Sequence, residues 1–208
     1  MLRLFDYLDS GNGYKVRLLL AKLGLAYELV ELDILKGESR TPDFLAKNPN
    51  GRIPALALED GTVIAESNAI LYYLAEGTRY WPEERLARAQ VLHWMFFEQY
   101  SHEPFIAVLR FWHRHGPMDE KRRALEPEKR KGGEAALAVM ERHLASRPFF
   151  VGTAMTIADI ALYAYTHAAA DGGFDLAAYP AIGAWLERVS TDAGHVPMLP
   201  DDYVVERT

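Results

Sequence analysis

The sequence contains no cysteine among its 208 residues. This absence excludes disulfide bonds, thiolate metal sites, Cys-X-X-Cys redox chemistry and a cysteine nucleophile. An excess of positive charge is also missing, since 23 Lys and Arg stand against 29 Asp and Glu, for a net charge of −6. That balance disfavours a protein that binds nucleic acid or an anionic membrane through charge. Any thiol chemistry here must use the thiol of another molecule.

Long hydrophobic runs are absent too, because charged residues interrupt them well before the ~18 residues that a membrane span needs. The first six residues reach Asp6 before an apolar stretch can form, so we expect no secretory leader and a cytoplasmic location. No phosphate-loop or dinucleotide glycine fingerprint is present, and neither is an HExxH pattern. His113 and His115 diverge on a helix, so we expect no metal site.

What is present begins with a strand, a helix and a second strand. Residues 2–6 have the pattern of a short strand, and an apolar helix face then recurs at i, i+3, i+4 and i+7 and ends near Gly24. Residues 27–32 predict a strand whose side chains cover a buried sheet face. Two strands joined by a helix within about 30 residues favour a parallel βαβ unit with a right-handed crossover.

The following segment completes a small α/β domain. Residues 42–47 predict a short helix, and residues 53–65 predict a β-hairpin that turns at Asp60-Gly61. Ser67 is expected to cap the next helix. The order of elements is therefore β-α-β-(α)-β-β-α.

Strand signals nearly vanish after a linker at residues 77–82. The remaining chain predicts helices over 83–115, 119–145, 156–170 and 179–192, the second of them broken or weakened at Pro127 and at Gly132-Gly133. We therefore predict an α/β domain over residues 1–76 and an all-helical domain over 83–208. The two prolines and three acids of the tail over 194–208 argue against a regular helix there, and whether the tail covers the active site is left open.

The strongest local motif is Thr156-Ile157-Ala158-Asp159, which has the spacing of a capping box. Thr156 can accept from the backbone N–H of Asp159, and the Asp159 carboxylate can accept from the N–H of Thr156. A catalytic role for a buried Asp159 is the alternative. The motif favours the structural role.

A second motif, residues 48–54 (Asn-Pro-Asn-Gly-Arg-Ile-Pro), leads into the predicted hairpin. A proline before a strand and after a glycine turn can form a cis peptide bond that holds a sharp bend. Such a bend leaves the backbone N–H and C=O of Ile53 able to bind an extended peptide. An ordinary turn is the alternative.

Two predicted helix starts carry polar side chains suited to a ligand. At Glu66-Ser67-Asn68 the N–H groups favour an anion and the Glu66 carboxylate can pair with an ammonium, which suits the α-amino-acid end of a zwitterion. At Ser10-Gly11-Asn12 a hydroxyl and an amide can both donate to an anion, with Tyr7 as a rival donor. Ordinary capping is the alternative at both.

Taken together, the motifs resemble the soluble glutathione S-transferases over the whole chain. The carriers of this resemblance are residues 10–20 (Ser-Gly-Asn-Gly-Tyr-Lys-Val-Arg-Leu-Leu-Leu), 48–54, 66–74 (Glu-Ser-Asn-Ala-Ile-Leu-Tyr-Tyr-Leu) and 156–160. Residues 94–104 look like the bacterial branch of that family. The resemblance implies a thioredoxin-like domain followed by a helical bundle domain, and a homodimer.

The resemblance also implies a glutathione site in the first domain. The Ser10 hydroxyl would stabilise the thiolate, and Asn12 would support it as in nu-class enzymes. Ile53 and the cis Pro54 would bind the cysteinyl part. Glu66 and Ser67 would bind the γ-glutamyl end, and Arg52 or Ser39 would lie nearer the glycyl carboxylate. An electrophile pocket would lie between the domains and include Tyr100, Phe105 and Trp112. Glutathione would serve as a co-substrate rather than as a bound cofactor.

Three functions are compatible with these residues. The first is conjugation of glutathione to a small electrophile. The second is reduction of a disulfide or peroxide, in which two glutathione molecules supply both thiols to a chain that has none. The third is a non-catalytic protein that binds ligands or a partner protein.

Overall fold

The computed structural model describes residues 1–200, so the last part of the predicted tail, residues 201–208, lies outside the described residues. Contacts divide the described chain into two compact units. The first comprises Met1–Trp81 together with Ala193–Pro200, and the second comprises Pro82–Asp192. The sequence had assigned residues 193–200 to the helical domain, whereas their contacts group them with the first unit.

The first unit is built on a four-stranded mixed sheet with the order β2-β1-β3-β4. Its strands are β1 (Leu2–Asp6), β2 (Tyr27–Glu31), β3 (Ala55–Ala57) and β4 (Val63–Ala65). β1 pairs parallel to β2, as the βαβ pattern predicted, and antiparallel to β3, which in turn pairs antiparallel to β4. The predicted α/β class of this part of the chain is confirmed.

Three helices accompany the sheet: α1 (Gly11–Leu23), α2 (Pro42–Leu45) and α3 (Ser67–Ala75). α1 ends where predicted, because Gly24 takes the left-handed conformation that glycine adopts without strain (φ 65°). Its Leu18, Leu19 and Leu20 are fully buried, as are Leu4 and Leu56 of the sheet and Ile70 and Leu71 of α3. These apolar side chains form the core against which α1 and α3 are held.

The prediction that β2 covers a buried sheet face was wrong in part. Val30 and Leu32 do pack against the cluster of Phe5, Phe44 and Ala55, but Leu29 is 38% exposed. Leu29 is exposed because β2 is an edge strand, which has a neighbouring strand on one side only.

The prediction that Ser67 caps α3 was also wrong by one residue. Glu66 occupies the N-cap position with φ 68°, and its side chain makes no capping hydrogen bond. Ser67 is the first helical residue and is buried. A positive φ at a residue other than glycine is a strained backbone geometry of the kind that clusters at ligand sites.

The second unit is helical. Its first part is α4 (Arg85–Phe97) and α5 (Glu103–Arg114), joined by a five-residue π-helical turn over Glu98–His102. The sequence predicted one uninterrupted helix here. Pro104 lies in the first turn of α5, and because proline has no N–H and crowds the preceding turn, the chain widens before it.

The prediction of a break in the next helix was wrong, since α6 runs without interruption over Glu120–Leu144 and contains Pro127. Gly132 and Gly133 are packing residues: a Cβ on Gly132 would lie 2.3 Å from the Phe105 ring, and one on Gly133 would lie 2.4 Å from the Phe174 ring. The buried side chains of α6 all follow this point, so packing of its second half stabilises the whole helix.

The remaining helices are α7 (Ile157–Thr166), which is buried along its entire length, and α8 (Pro180–Thr191), whose Trp185 is fully buried. The capping box at the start of α7 is confirmed. Thr156 accepts from the N–H of Ala158 (3.2 Å), and Asp159 accepts from the N–H of Thr156 (2.9 Å).

No helix within residues 1–200 is both long and apolar enough to cross a membrane.

Candidate functional site

The sequence motifs of the first unit converge at one end of its sheet. Register pairs Phe5 with Ala55 and Ala55 with Ala65. If this register is continued by one residue toward that end of the sheet, Asp6, Pro54 and Glu66 lie side by side, where β1 and β4 end and β3 begins. Because α1 starts shortly after β1 and α3 directly after β4, both helix N-termini lie at this same edge.

The loop before β3 is held by its own side chains. The Ile53–Pro54 peptide bond is cis, as the motif predicted. Asn48 donates to the carbonyl of Arg52 (2.7 Å) and accepts from the N–H of Asn50 (3.1 Å). These two bonds fix the loop ahead of the cis peptide, an organising role for Asn48 that sequence reasoning missed.

A second turn supports this loop from the side. A Cβ on Gly51 (φ 60°) would lie 2.9 Å from the carbonyl oxygen of Ser39 and 2.6 Å from the Arg40 guanidinium. The glycine therefore allows its loop to lie this close to Ser39 and Arg40. The Arg40 guanidinium also donates to the carbonyl of Asn50 (2.8 Å). Ser39 is thus buried beside the loop, whereas Arg52 is exposed on it.

The N-terminus of α1 begins at Ser10, as predicted. The Ser10 hydroxyl oxygen accepts from the N–H of Gly13 over a long 3.4 Å, and the residue is half-buried. Accepting this bond leaves the hydroxyl hydrogen for a different acceptor, since a serine hydroxyl both donates and accepts. Capping and donation to an anion are therefore compatible at Ser10.

The starts of α1 and α3 are joined through Asn12. The Ser67 hydroxyl donates to the carbonyl oxygen Oδ1 of Asn12 at 3.1 Å. The Lys15 ammonium donates to the same oxygen at 2.7 Å and lies 3.5 Å from the Ser67 oxygen. Asn12 and Ser67, which the sequence placed in separate motifs, thus belong to a single cluster.

Lys15 is the member of the cluster that sequence reasoning missed. Its side chain is fully buried, although a lysine in the second turn of an amphipathic helix is normally exposed. The only sequence signal is its spacing of three residues from Asn12, which puts both side chains on one helix face. That spacing alone does not distinguish a buried lysine from a solvated one.

A buried ion pair underlies the start of α1. Asp6 is fully buried and accepts from the N–H of Tyr7 (2.7 Å) and from the Arg17 guanidinium (2.9 Å). Burial raises the pKa of Asp6 to about 6, and the positive charge of Arg17 opposes that rise. Gly13 is required beside it, because a Cβ there would overlap the Asp6 carboxylate.

The same arginine ties down the returning end of the chain. The Arg17 guanidinium donates to the carbonyl oxygens of Met198 (2.6 Å) and Leu8 (2.7 Å). The Tyr14 hydroxyl donates to the carbonyl of Val196 (2.7 Å). Residues 193–200 are in this way fastened to α1.

Other predicted residues occupy different places. Tyr7, the rival donor, is buried, with 8% of its surface exposed, and its carbonyl accepts from the N–H of Ser10 (2.8 Å). In the second unit, Tyr100 is 83% exposed and Trp112 is half-buried. Phe105 packs against Gly132 and lies 5.2 Å from the Lys129 ammonium.

Asp159 lies in the second unit and is engaged within it. Its carboxylate accepts from Thr156, from the N–H of Phe150 (3.1 Å) and from the indole N–H of Trp185 (3.0 Å). Burial raises its pKa to about 6, and these hydrogen bonds oppose the rise. Within residues 1–200, no group of three or more His, Asp or Glu side chains is arranged to hold a metal ion.

Comparison with known families assigns the chain to a class. Residues 1–76 match the family model "Glutathione S-transferase, N-terminal domain", and residues 95–192 match "Glutathione S-transferase, C-terminal domain". The chain belongs to the glutathione S-transferase family, with a thioredoxin-like first domain and a helical second domain.

Particular relatives point in more than one direction. The chain is 31% identical to the disulfide-bond oxidoreductase YfcG of Escherichia coli K12 over 194 residues, which cover 88% of this chain and 87% of that protein. It is 34% identical to the protein URE2 of Eremothecium gossypii over 154 residues, or 68% of this chain. The chain spans only 44% of the length of that relative.

Solved structures give the same fold. A glutathione S-transferase from Pseudomonas fluorescens is 52% identical, with a TM-score of 0.91 over 96% of this chain and 99% of that one. Ure2p in complex with glutathione is 25% identical, with a TM-score of 0.84 over 93% of this chain and 90% of that one.

Proposed function

We propose that this protein is a glutathione transferase that binds glutathione at the shared edge of α1, α3 and the cis Pro54 loop and stabilises its thiolate for attack on a small electrophile. The observation that carries the proposal is the Asn12–Ser67 hydrogen bond, which draws two helix N-termini together beside that loop. Two such termini provide N–H donors and positive potential for the carboxylate and thiolate of one peptide ligand.

Each part of glutathione has a partner in this proposal. The backbone of Ile53, held by the cis bond, pairs with the cysteinyl backbone as an added strand does. Glu66 and the first turn of α3 receive the ammonium and carboxylate of the γ-glutamyl end. Because the Ser67 hydroxyl already donates to Asn12, Ser67 would contribute its backbone N–H rather than its side chain. Ser39 or Arg52 would face the glycyl carboxylate.

The energies suffice for a thiolate. A free thiol with a pKa of ~8.5 is only about 3% ionised at pH 7, and lowering that pKa by ~2 units requires about 2.7 kcal/mol. A hydrogen bond to a charged group contributes about 1.5–3 kcal/mol and a helix N-terminus about 0.3–1 kcal/mol. Donation by Ser10, supported by Asn12 and the start of α1, therefore meets the requirement.

The proposal also draws on relatives. The Ure2p structure named above contains glutathione, and the structure from Pseudomonas fluorescens is that of a glutathione S-transferase. The chain has no cysteine, so in this proposal glutathione supplies the thiol. An electrophile held close to the thiolate then reacts with the advantage of proximity.

The test is a titration of glutathione into the protein while thiolate absorbance near ~240 nm is followed as a function of pH. We expect saturable binding and a thiol pKa about 2 units below that of free glutathione. Ser10→Ala should raise that pKa and lower kcat with a chlorodinitrobenzene-type substrate. Asp119→Ala, which removes a helix cap in the other unit, is the matched control. Absence of glutathione binding would favour a non-catalytic protein instead.

A second activity, glutathione-dependent reduction of disulfides or peroxides, is favoured by the similarity to YfcG along 88% of the chain. It is also favoured by the Ser10-Gly11-Asn12 segment, which resembles the nu class. In the disulfide reaction the bound thiolate attacks one sulfur of the substrate, breaks its S–S bond and expels one thiolate. A second glutathione thiolate then attacks the resulting mixed disulfide, which releases the other thiolate and forms glutathione disulfide. Turnover of 2-hydroxyethyl disulfide well above that of the chlorodinitrobenzene-type substrate would make reduction the principal activity.

The family resemblance implies a dimer. We propose a homodimer in the cytoplasm. Light scattering coupled to gel filtration tests the first part, with a mass twice the 23.5 kDa of one chain as the expected result.

A further inference from the structure

Lys15 is the least expected member of the site cluster. Its ammonium is fully buried, and burying a charge without compensation is costly. The side chain is nevertheless placed where it donates to Asn12 at 2.7 Å and lies 3.5 Å from the Ser67 oxygen. Packing alone does not require a lysine at this position, because a leucine or methionine would fill the same space in an apolar helix interface.

The contact fixes the orientation of the Asn12 carboxamide. An ammonium group can only donate hydrogen bonds, so the Asn12 atom at 2.7 Å is the oxygen and not the nitrogen. The Ser67 hydroxyl donates to the same oxygen at 3.1 Å. The flipped carboxamide would place two N–H hydrogens against the Lys15 ammonium. The N–H groups of Asn12 are therefore on the side away from Lys15 and Ser67.

The contact also strengthens the donor. Two hydrogen bonds on one carbonyl oxygen, one of them from a cation, polarise the amide and make its N–H groups better donors. Asn12 lies in the first turn of α1, two residues after Ser10, where the proposed thiolate would bind. An amide held in this way is suited to donate to a sulfur anion.

We infer that Lys15 is a positioning residue: it holds the Asn12 carboxamide so that the amide N–H donates to the glutathione thiolate. This inference rests on the proposed function. Lys15 does not contact glutathione in this scheme and acts only through Asn12. Ser67 supports the same orientation from α3, which makes the start of that helix part of the thiolate site as well as of the γ-glutamyl site.

A double-mutant cycle tests the inference, with the thiol pKa of bound glutathione as the readout. We expect Lys15→Met and Asn12→Ala each to raise that pKa by about 1–2 units, which is a ten- to hundredfold loss of thiolate well below the pKa. The double variant should show no further rise, because Lys15 acts through Asn12. Additive rises in the double variant would overturn the inference.

Controls separate positioning from a general loss of structure. Lys22→Met removes a lysine from the last turn of the same helix and should leave the thiol pKa unchanged. If Lys15→Met does not fold, Lys15→Gln replaces it in the cycle. Its neutral amide can donate to Asn12 but no longer forbids the flipped carboxamide, so we expect a smaller rise that again disappears in the Asn12→Ala background.

Failure of the inference is distinguishable from failure of the proposed function. If the unmodified protein does not bind glutathione or does not lower its thiol pKa, the proposed function falls and the inference falls with it. If the unmodified protein does lower the pKa but Lys15→Met leaves that value unchanged, the inference alone is overturned.

Discussion

The N-termini of α1 and α7 differ in how their unpaired N–H groups are satisfied. A helix N-terminus presents unpaired N–H groups and positive potential. At α7 the chain supplies the anion itself, because the fully buried carboxylate of Asp159 accepts from Thr156, Phe150 and Trp185. The first turn of α1 has no acidic residue, and Ser10 offers only a 3.4 Å cap.

The start of α3 resembles that of α1, since its first turn also lacks an acid and Glu66 makes no side-chain cap. A completed helix start therefore stabilises the fold, whereas an incompletely capped one leaves its positive potential for a ligand. Two incompletely capped starts joined by a hydrogen bond lie in the first unit, and the completed one lies in the second.

The largest expected effect comes from Asp159→Ala. The change leaves several buried donors without an acceptor, so we expect the free energy of unfolding to fall by about 3–5 kcal/mol. Loss of a cap by itself would cost about 1–2 kcal/mol, and the lost bonds from Phe150 and Trp185 account for the larger value. Denaturant unfolding measures the loss. Asp175→Ala, at an exposed cap, is the control and should lose about 1 kcal/mol or less.

The thiol pKa of bound glutathione should be unaffected in the same Asp159→Ala variant, measured at a temperature where it remains folded. A raised thiol pKa there would mean that the α7 start contributes to the chemistry.

The next effect is a pH dependence of stability. The pKa of Asp159 is raised from 3.8 to about 6 in the folded protein. The folded state therefore binds the Asp159 proton more tightly than the unfolded state does. The stability that this proton contributes is fully present below about pH 4 and is lost as the pH rises to about 6. Above that pH, Asp159 causes no further change in stability. Asp159→Asn should remove a decrease on the order of 2–3 kcal/mol across this window. Equal pH slopes in both proteins would contradict the raised pKa. Asp6, whose pKa is also raised, retains its own contribution in both.

At α1 we expect the reverse of Asp159→Ala, namely a small change in stability and a clear change in the thiol pKa of bound glutathione. Ser10→Gly should change stability by only a few tenths of a kcal/mol, because glycine is tolerated at an N-cap. It should nevertheless raise the thiol pKa of bound glutathione by about 1–2 units, since the donating hydroxyl is lost. Absorbance titration and thermal unfolding of one preparation give both values. A thiol pKa that stays low would shift the donor role to Tyr7 or Asn12.

Of the two substitutions in the capping box of α7, Thr156→Ala should have the smaller effect, a loss of about 1 kcal/mol in the free energy of unfolding. Thr156→Ser keeps the oxygen and should restore most of it. If Ser and Ala behave alike in calorimetric melting, the hydroxyl cap at α7 contributes little and Asp159 alone completes the helix start.

Motifs whose function is local were predictable from the sequence. The capping box at Thr156 and Asp159, the cis bond at Pro54 and the left-handed end of α1 at Gly24 each depend on residues within a few positions of one another. Local propensity and turn chemistry decide such features, so the sequence shows them directly.

Features that depend on distant partners were not predictable. Pro127 looks like a helix breaker, yet tertiary packing of the second half of α6 outweighs the loss of one hydrogen bond. Gly132 in the sequence suggests a weakened helix, but in the structure the Phe105 ring packs where a larger residue would place its Cβ. Lys15 looks like a solvated lysine because its partner Ser67 lies 52 residues further along the chain.

The fastening of residues 193–200 to α1 has a consequence for biosynthesis. Arg17 and Tyr14 obtain the carbonyl oxygens of Met198 and Val196 from positions 181 and 182 residues later in the chain. A ribosome releases the N-terminal part first, so a nascent first unit has its sheet and helices long before these two acceptors exist. The guanidinium of Arg17 must meanwhile be solvated or satisfied by Asp6 and Leu8 alone. The first unit is therefore completed late, because its last contacts form only after residues 193–200 have left the exit tunnel.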